Sequence, residues 1–263
     1  MNHFLNKKIV ITGASSGIGE ALLRELAQTP CTVFIGARSV EKLQKLKKEL
    51  ENEQTKIHVL EMDLSKNESL EKAFLALQSK TNSIDLLLNN GGISQRGLAV
   101  DTDYSVVERI MNVNFLGTIK WTTLCLPLLK KSAAPHITVI SSVVGEYGFP
   151  LRSSYSASKH ALKGYFESMQ LEPGSPSVSI VSPGRIKTAI SLSALEADGS
   201  MHGKMDEGQN KGVSAEKAAS LILKGSAKKK NNIFIGSGEI VLIYIKRYVP
   251  ALFRFIAKRV SAT

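Results

Sequence analysis

The sequence predicts an α/β fold: a doubly wound, parallel seven-stranded sheet with helices on both faces, formed as a single domain. Two observations carry this expectation. Short apolar, β-rich runs alternate with longer segments of helical period along the whole chain. The runs are apolar at nearly every position, as in parallel strands buried on both faces between two helical layers. A chain of 263 residues with 43% hydrophobic and 22% charged residues can bury such a core, which excludes a disordered or disulfide-stapled polypeptide.

In order, the strands are KIVIT (8–12), CTVFIG (31–36), KIHVLEM (56–62), IDLLLN (84–89), HITVIS (136–141), SVSIVS (177–182) and IFIG (233–236). The crossovers between the first six are helical over about 17–28, 39–52, 67–79, 103–130 and 153–171. In the second of these, Leu43, Leu46 and Leu50 form one stripe, and Glu41 and Lys45 are spaced as an i,i+4 pair. The rhythm fails over 185–212, where Gly199, Gly203, Gly208 and Gly212 surround Met201 and Met205. That composition suits an adaptable segment, expected to be a lid over a site. No linker or repeat divides the chain, so the domain is expected over 1–238, lid included, with 239–263 as a C-terminal apolar and basic segment.

The net charge of +11 favours anionic ligands or surfaces. No basic run is interleaved with aromatics, and Lys228, Lys229 and Lys230 read as a solvated turn, so no nucleic-acid partner is expected. Cys31 and Cys125 are far apart and suit buried thiols in a reducing compartment. With neither a signal-peptide layout nor a run of roughly 18 apolar residues, a cytoplasmic protein is expected. His3, His58, His136, His160 and His202 have no ligand spacing, so no metal site is expected.

Two motifs carry chemistry. The first strand runs through Thr12-Gly13-Ala14-Ser15-Ser16-Gly17-Ile18-Gly19 into a helix, where a tight glycine turn lets a pyrophosphate approach a helix N-terminus. Tyr155 and Lys159, four residues apart, share one helix face. A cation held there lowers the phenol pKa and makes Tyr155 able to exchange a proton with a substrate oxygen. Taken singly, the turn also fits any strand-to-helix connection, and the pair fits a solvated surface.

Together, TGASSGIG, NNGG (89–92), Asn114, Ser142, YSASK and Pro183-Gly184 resemble the short-chain dehydrogenase/reductase family, with its Rossmann fold, from about residue 7 to 238. The contexts SYSASKHAL, VNFLGT and SPGRIKT are most similar to the branch holding the 11β-hydroxysteroid dehydrogenases and the dehydrogenase/reductase member 7 proteins. The resemblance implies that Tyr155 is the general acid/base. Lys159 would depress its pKa and bind the cofactor ribose, Ser142 would hold the substrate oxygen, and Asn114 would fix a relay water. It implies cofactor contacts at Gly13, Ser15, Ile18 and Gly19 around the phosphates, Asp63 at the adenine, Asn89 beside the ribose, and Pro183, Ile186 and Thr188 near the nicotinamide. Ser142 is preferred to Ser141 because it stands thirteen residues before Tyr155, as in the family.

The chain departs from that pattern twice: Gly91 replaces the usual alanine of NNAG beside the cofactor, and the helix after Tyr155 stops early at Leu171-Glu172-Pro173-Gly174. The second strand ends Ile35-Gly36-Ala37-Arg38-Ser39 without the acidic residue that binds a ribose 2'-hydroxyl, and Arg38 suits a 2'-phosphate, so NADP(H) is expected. The implied activity is hydride transfer between NADP(H) and an apolar ketone, aldehyde or secondary alcohol, in a homodimer or homotetramer. A ketoacyl reductase acting on an acyl-carrier protein and a non-catalytic NADP(H) sensor are the rivals. In the tail, IVLIYI is followed by Lys246, Arg247, Arg254, Lys258 and Arg259, with Leu252, Phe253 and Ile256 gathered on another side. It suits either weak peripheral contact with a membrane or packing on its own domain.

Overall fold

Strands β1 (Lys8–Thr12), β2 (Thr32–Ala37), β3 (Lys56–Glu61), β4 (Leu86–Asn89), β5 (His136–Ile140) and β6 (Ser177–Pro183) follow the apolar runs. They are seen in a computed structural model that describes residues 2–259. With β9 (Asn232–Ile235), they form one parallel sheet of seven strands in the order β3-β2-β1-β4-β5-β6-β9. The order reverses between β1 and β4, and the carboxyl ends of those strands open the crevice where ligands of such sheets bind.

Period-two alternation divides the strand residues between two cores. Ile9 and Ile11 pack toward α1 (Gly17–Leu26), α2 (Val40–Leu50) and α8 (Ala215–Ala227), while Val10 joins the opposite core with α3 (Asn67–Gln78), α5 (Gly117–Leu129) and α6 (Ser153–Leu171). Leu43 and Leu46 are buried as the stripe requires and Leu50 packs at its edge. Glu41 and Lys45 form no ion pair; the pair on this helix is Lys47–Glu51 at 3.7 Å. Leu162, Phe166 and Met169 are buried in the second core. Each side chain buried this fully contributes roughly 1.5–3 kcal/mol.

The stretch expected to be one helix over 103–130 is α4 (Tyr104–Met111), a π-helical turn (Asn112–Leu116) and α5, and α6 stops at Leu171. In the segment 185–212, β7 (Ile186–Lys187) is followed by a one-turn α7 (Glu207–Asn210), and β7 pairs with β8 (Val213–Ser214) just beyond the segment. The tail is a hairpin of α9 (Gly238–Tyr248) and α10 (Pro250–Ala257). Phe253 and Ala257 pack with Val143, Val144, Tyr147 and Tyr155, so the tail covers its own domain beside the Tyr155 ring. Leu252 does not join Phe253 there but faces out, with Tyr244, Tyr248 and Phe255. The last four residues of the tail, 260–263, lie outside the described residues.

Candidate active site

A cavity of about 720 Å³ runs along the carboxyl ends of β1, β2, β4, β5 and β6. At one end lies the glycine turn. Gly13 has φ +66°, and a Cβ there would come within 2.7 Å of the Gly91 Cα, so two strand ends meet backbone to backbone. The turn is tied down by Asn90, whose Nδ2 donates to the carbonyls of Thr12 at 3.0 Å and Gly13 at 3.1 Å. Thr12 Oγ1 accepts from the amides of Asn90 and Gly91, each at 3.0 Å. No side chain caps α1 at Ser16, and Ser15, Ser16, Gly17 and Ile18 line the cavity, so the first amides of the helix form an anion cradle.

Gly13, Ser15, Ile18, Arg38, Asp63, Gly91, Ser142, Tyr155, Lys159, Pro183, Ile186 and Thr188 all line this cavity. Three of the expected residues do not. Gly19 lies under the turn, where a Cβ would come within 2.2 Å of the Gly13 carbonyl oxygen, so its place is one of packing. Asn89 points into the core and donates to Thr122 Oγ1 at 2.8 Å, leaving Asn90 on the wall because successive strand residues face opposite sides. Asn114, fully buried in the π-helical turn, lies beneath the wall.

Arg38 is exposed just beyond β2, and Lys42, in the first turn of α2, adds a second cation to that end. Burial opposes the charge on Asp63, but hydrogen bonds from the Ser65 amide and hydroxyl and the charges of Arg38 and Lys66 hold its pKa below the usual carboxylate value.

At the other end, Ser142 Oγ donates to the Pro183 carbonyl at 3.3 Å and accepts from the Val144 amide at 3.3 Å. Ser141 Oγ is held by the Lys159 carbonyl at 3.1 Å. Asn114 Oδ1 accepts from the Ile93 amide at 2.8 Å, and its Nδ2 donates to the Ile93 carbonyl at 2.9 Å and to Ser158 Oγ at 3.0 Å. Lys159 Nζ donates to the Ile140 carbonyl at 2.8 Å, and burial lowers its pKa to about 8.

Burial raises the Tyr155 pKa, while the charges of Arg152 and Arg96 and the Ser142 hydrogen bond oppose the rise. Two guanidiniums thus favour the phenolate. Lys159 Nζ stands 5.8 Å from the ring centroid and is bonded to the Ile140 carbonyl. Arg96, Arg152 and Asp206 were missed by the sequence reading. Their only local signals were an arginine one turn before the tyrosine and an arginine four residues beyond Gly92.

A family model described as short chain dehydrogenase matches residues 7–198. The chain belongs to that family. Among curated relatives, a dehydrogenase/reductase SDR family protein 7-like from Drosophila melanogaster is 36% identical, covering 98% of this chain and 82% of its own length. A family member 7B from Xenopus tropicalis is 34% identical, covering 95% and 84%. An alcohol dehydrogenase from Thermococcus sibiricus, solved with 5-hydroxy-NADP, superposes with a TM-score of 0.77 at 25% identity, over 89% of this chain and 97% of that one. A short chain dehydrogenase/reductase from Burkholderia phymatum, solved with NAD, superposes with a TM-score of 0.83 at 20% identity over 96% of each chain and attests the fold. The chain is an oxidoreductase of the short-chain dehydrogenase/reductase family, with relatives in the member 7 branch.

Proposed function

We propose that the protein transfers hydride between NADP(H) and a carbonyl compound or secondary alcohol with an apolar body. The observation that carries this reading is the convergence of Tyr155, Ser142 and Lys159 on one cavity whose far end is a glycine cradle with Arg38 beside it. The residues present fit a dinucleotide: the turn admits no Cβ at Gly13, and the open α1 amides and the Arg38 and Lys42 charges suit phosphates. When bound, the coenzyme supplies or accepts the hydride at the carbonyl carbon.

In reduction, Tyr155 donates its phenolic proton to the carbonyl oxygen while Ser142 hydrogen-bonds the same oxygen, where negative charge develops. Arg152 and Arg96 stabilise the phenolate left behind. Lys159 holds the ribose end, and Asn114 fixes the backbone at Ile93 beside it. In oxidation the same proton returns to Tyr155. The segment 185–212 acts as the lid, contributing Ile190, Leu192 and Met201 to the wall.

The reading extends to a homodimer or homotetramer, supported by exposed Leu116 and Tyr165 on neighbouring helical surfaces. It also extends to a cytoplasmic location, supported by two buried, unpaired thiols, and to weak peripheral contact with anionic membranes through the tail.

The test is Tyr155→Phe, which keeps the ring packed and removes the proton donor. Turnover of an accepted ketone is expected to fall by about 10² to 10⁴ with an unchanged NADPH dissociation constant. Undiminished turnover would refute the mechanism.

A further inference from the structure

The loop 93–97 that follows the glycines after β4 holds three parts of the site together. At its start, Asn114 fixes the backbone of Ile93. Toward the lid, the Arg96 amide donates to the Leu195 carbonyl at 2.7 Å and the Leu195 amide to the Ser94 carbonyl at 2.9 Å, so Gln95 lies beside Leu195 in a short parallel bridge. Toward Tyr155, the Gly97 amide donates to the Leu151 carbonyl at 3.2 Å in the turn that opens α6. Leu151 has φ +60°, a left-handed conformation that a leucine keeps only where its neighbours over-determine it. Ion pairs repeat the connection. Asp206, at the far end of the lid, accepts from Arg96 through Nη2 and, at 3.3 Å, through Nε, and from Arg152 Nη2 at 3.2 Å.

Gln95 stands at the centre of this loop and is fully buried. The first amides of a helix have no partner within it, and Arg152, at the N-cap of α6, carries donors only and cannot supply one from its side chain. Gln95 supplies it instead. Ser154, the residue before Tyr155, donates its amide to Gln95 Oε1 at 2.9 Å. The other end of the Gln95 amide is fixed as well: Nε2 donates to Thr102 Oγ1 at 2.8 Å, and the Thr102 hydroxyl donates its own proton to the Leu98 carbonyl at 2.7 Å. With that proton engaged, Thr102 faces Gln95 as an acceptor, so the amide is held with its oxygen toward α6.

We infer that Gln95 is a positioning residue of the reaction: it caps α6 against the loop that seats the lid, and so holds the Tyr155 hydroxyl where the substrate oxygen is delivered. Gln95 is not on the cavity wall, so it acts through Ser154 and Tyr155 and not on the substrate. A misplacement of reacting groups by about 1 Å costs on the order of a hundredfold in rate, which is why the first turn of α6 has to be fixed. The role rests on the reading of Tyr155 as the proton donor.

Gln95→Leu keeps a side chain of similar size and removes both contacts. With NADPH and 2-decanone, kcat is expected to fall about tenfold or more, while KM for the ketone and the NADPH dissociation constant change less than about threefold. Thr102→Val, at a half-buried position, removes only the acceptor that orients the amide and should lower kcat about threefold, which keeps the role testable where Gln95→Leu does not fold. In the Tyr155→Phe background neither substitution should lower the residual turnover further, because a positioning role is lost together with the hydroxyl it positions. Independently of turnover, hydrogen exchange at the Ser154 amide should quicken about tenfold in Gln95→Leu. Unchanged kcat in both variants, unchanged exchange, or losses that multiply in the Tyr155→Phe background would each overturn the assignment. A raised KM at unchanged kcat would also overturn it and leave Gln95 as an anchor for the lid. Undiminished turnover in Tyr155→Phe alone would remove the proton-donor reading and the positioning role with it, an outcome told apart because it involves no variant of Gln95 or Thr102.

Discussion

Arg38 and His136 show how single residues set binding and stability. Arg38 is solvent-exposed, so its charge is free to meet a 2'-phosphate without a burial penalty. NADPH is expected to bind about tenfold or more tightly than NADH, and Arg38→Asp to reverse the order, with Lys42 leaving some residual affinity for NADPH. Dissociation constants from nicotinamide fluorescence check this, and equal constants in the unaltered protein would exclude the assignment. His136 is buried on β5, with its ring nitrogens 2.8 Å from Ser177 Oγ and 3.0 Å from Ser179 Oγ. Burial, reinforced by the charge of Lys229, lowers its pKa to about 4 from the model-peptide value of 6.5. The unfolded chain takes up a proton at this site below about pH 6.5 and the folded chain does not until about pH 4. The His136 contribution is therefore complete above that window and is lost as pH falls through it, by at most about 3 kcal/mol. Urea unfolding at pH 7.5, 6 and 5 should show this slope, and His136→Gln should flatten it.

At the scale of elements, the junction of the β1 turn with the end of β4 is a contact between backbones. Gly13→Ala places a methyl 2.7 Å from the Gly91 Cα at a residue with φ +66°, so both sterics and backbone conformation oppose it. A loss of about 1–3 kcal/mol is expected, with weakened NADPH binding. Gly91→Ala meets instead the end of the Leu64 side chain at 2.5 Å, which can turn away, so a cost under about 1 kcal/mol is expected. Thermal melts with and without NADPH separate the two. Equal losses would show that the backbone contact does not govern the junction.

Over the whole molecule, the tail hairpin has two faces. Phe253 packs on Tyr147, with ring centroids 5.3 Å apart, and Lys246 Nζ donates to the Glu146 carbonyl at 2.7 Å, so truncation would uncover the cluster that holds Tyr155. The outer face carries Tyr244, Tyr248, Leu252 and Phe255 with the exposed cations Arg247, Arg254 and Lys258. Co-sedimentation with anionic vesicles at low salt, reversed by added salt, is expected, and Arg254→Glu with Lys258→Glu should weaken it roughly fivefold or more per charge without unfolding the domain. No sedimentation at low salt would leave the tail as a packing element alone.

What the sequence by itself determined is what is encoded within a few residues. Double-sided apolar strands and helical stripes suffice to state a seven-stranded parallel sheet, because strand burial and helix faces depend on local period. The turn from Thr12 to Gly19 and the Tyr155/Lys159 spacing are equally local, and the family resemblance extended them to Ser142 and Asn114. Three matters were decided only by tertiary structure. The Asn89 side chain faces the core and Asn90 lines the cavity because the facing of a strand end depends on where the ladder stops, and a shift of one residue inverts it. Arg152 and Arg96 join Lys159 beside Tyr155, because an i,i+4 spacing brings two side chains to one face without showing which charges distant parts of the chain add. The Arg96–Asp206–Arg152 cluster joins residues 110 and 54 positions apart, through a lid whose composition suggested only adaptability. Charges brought together over such separations leave no period in the sequence, because their proximity is a property of the folded chain.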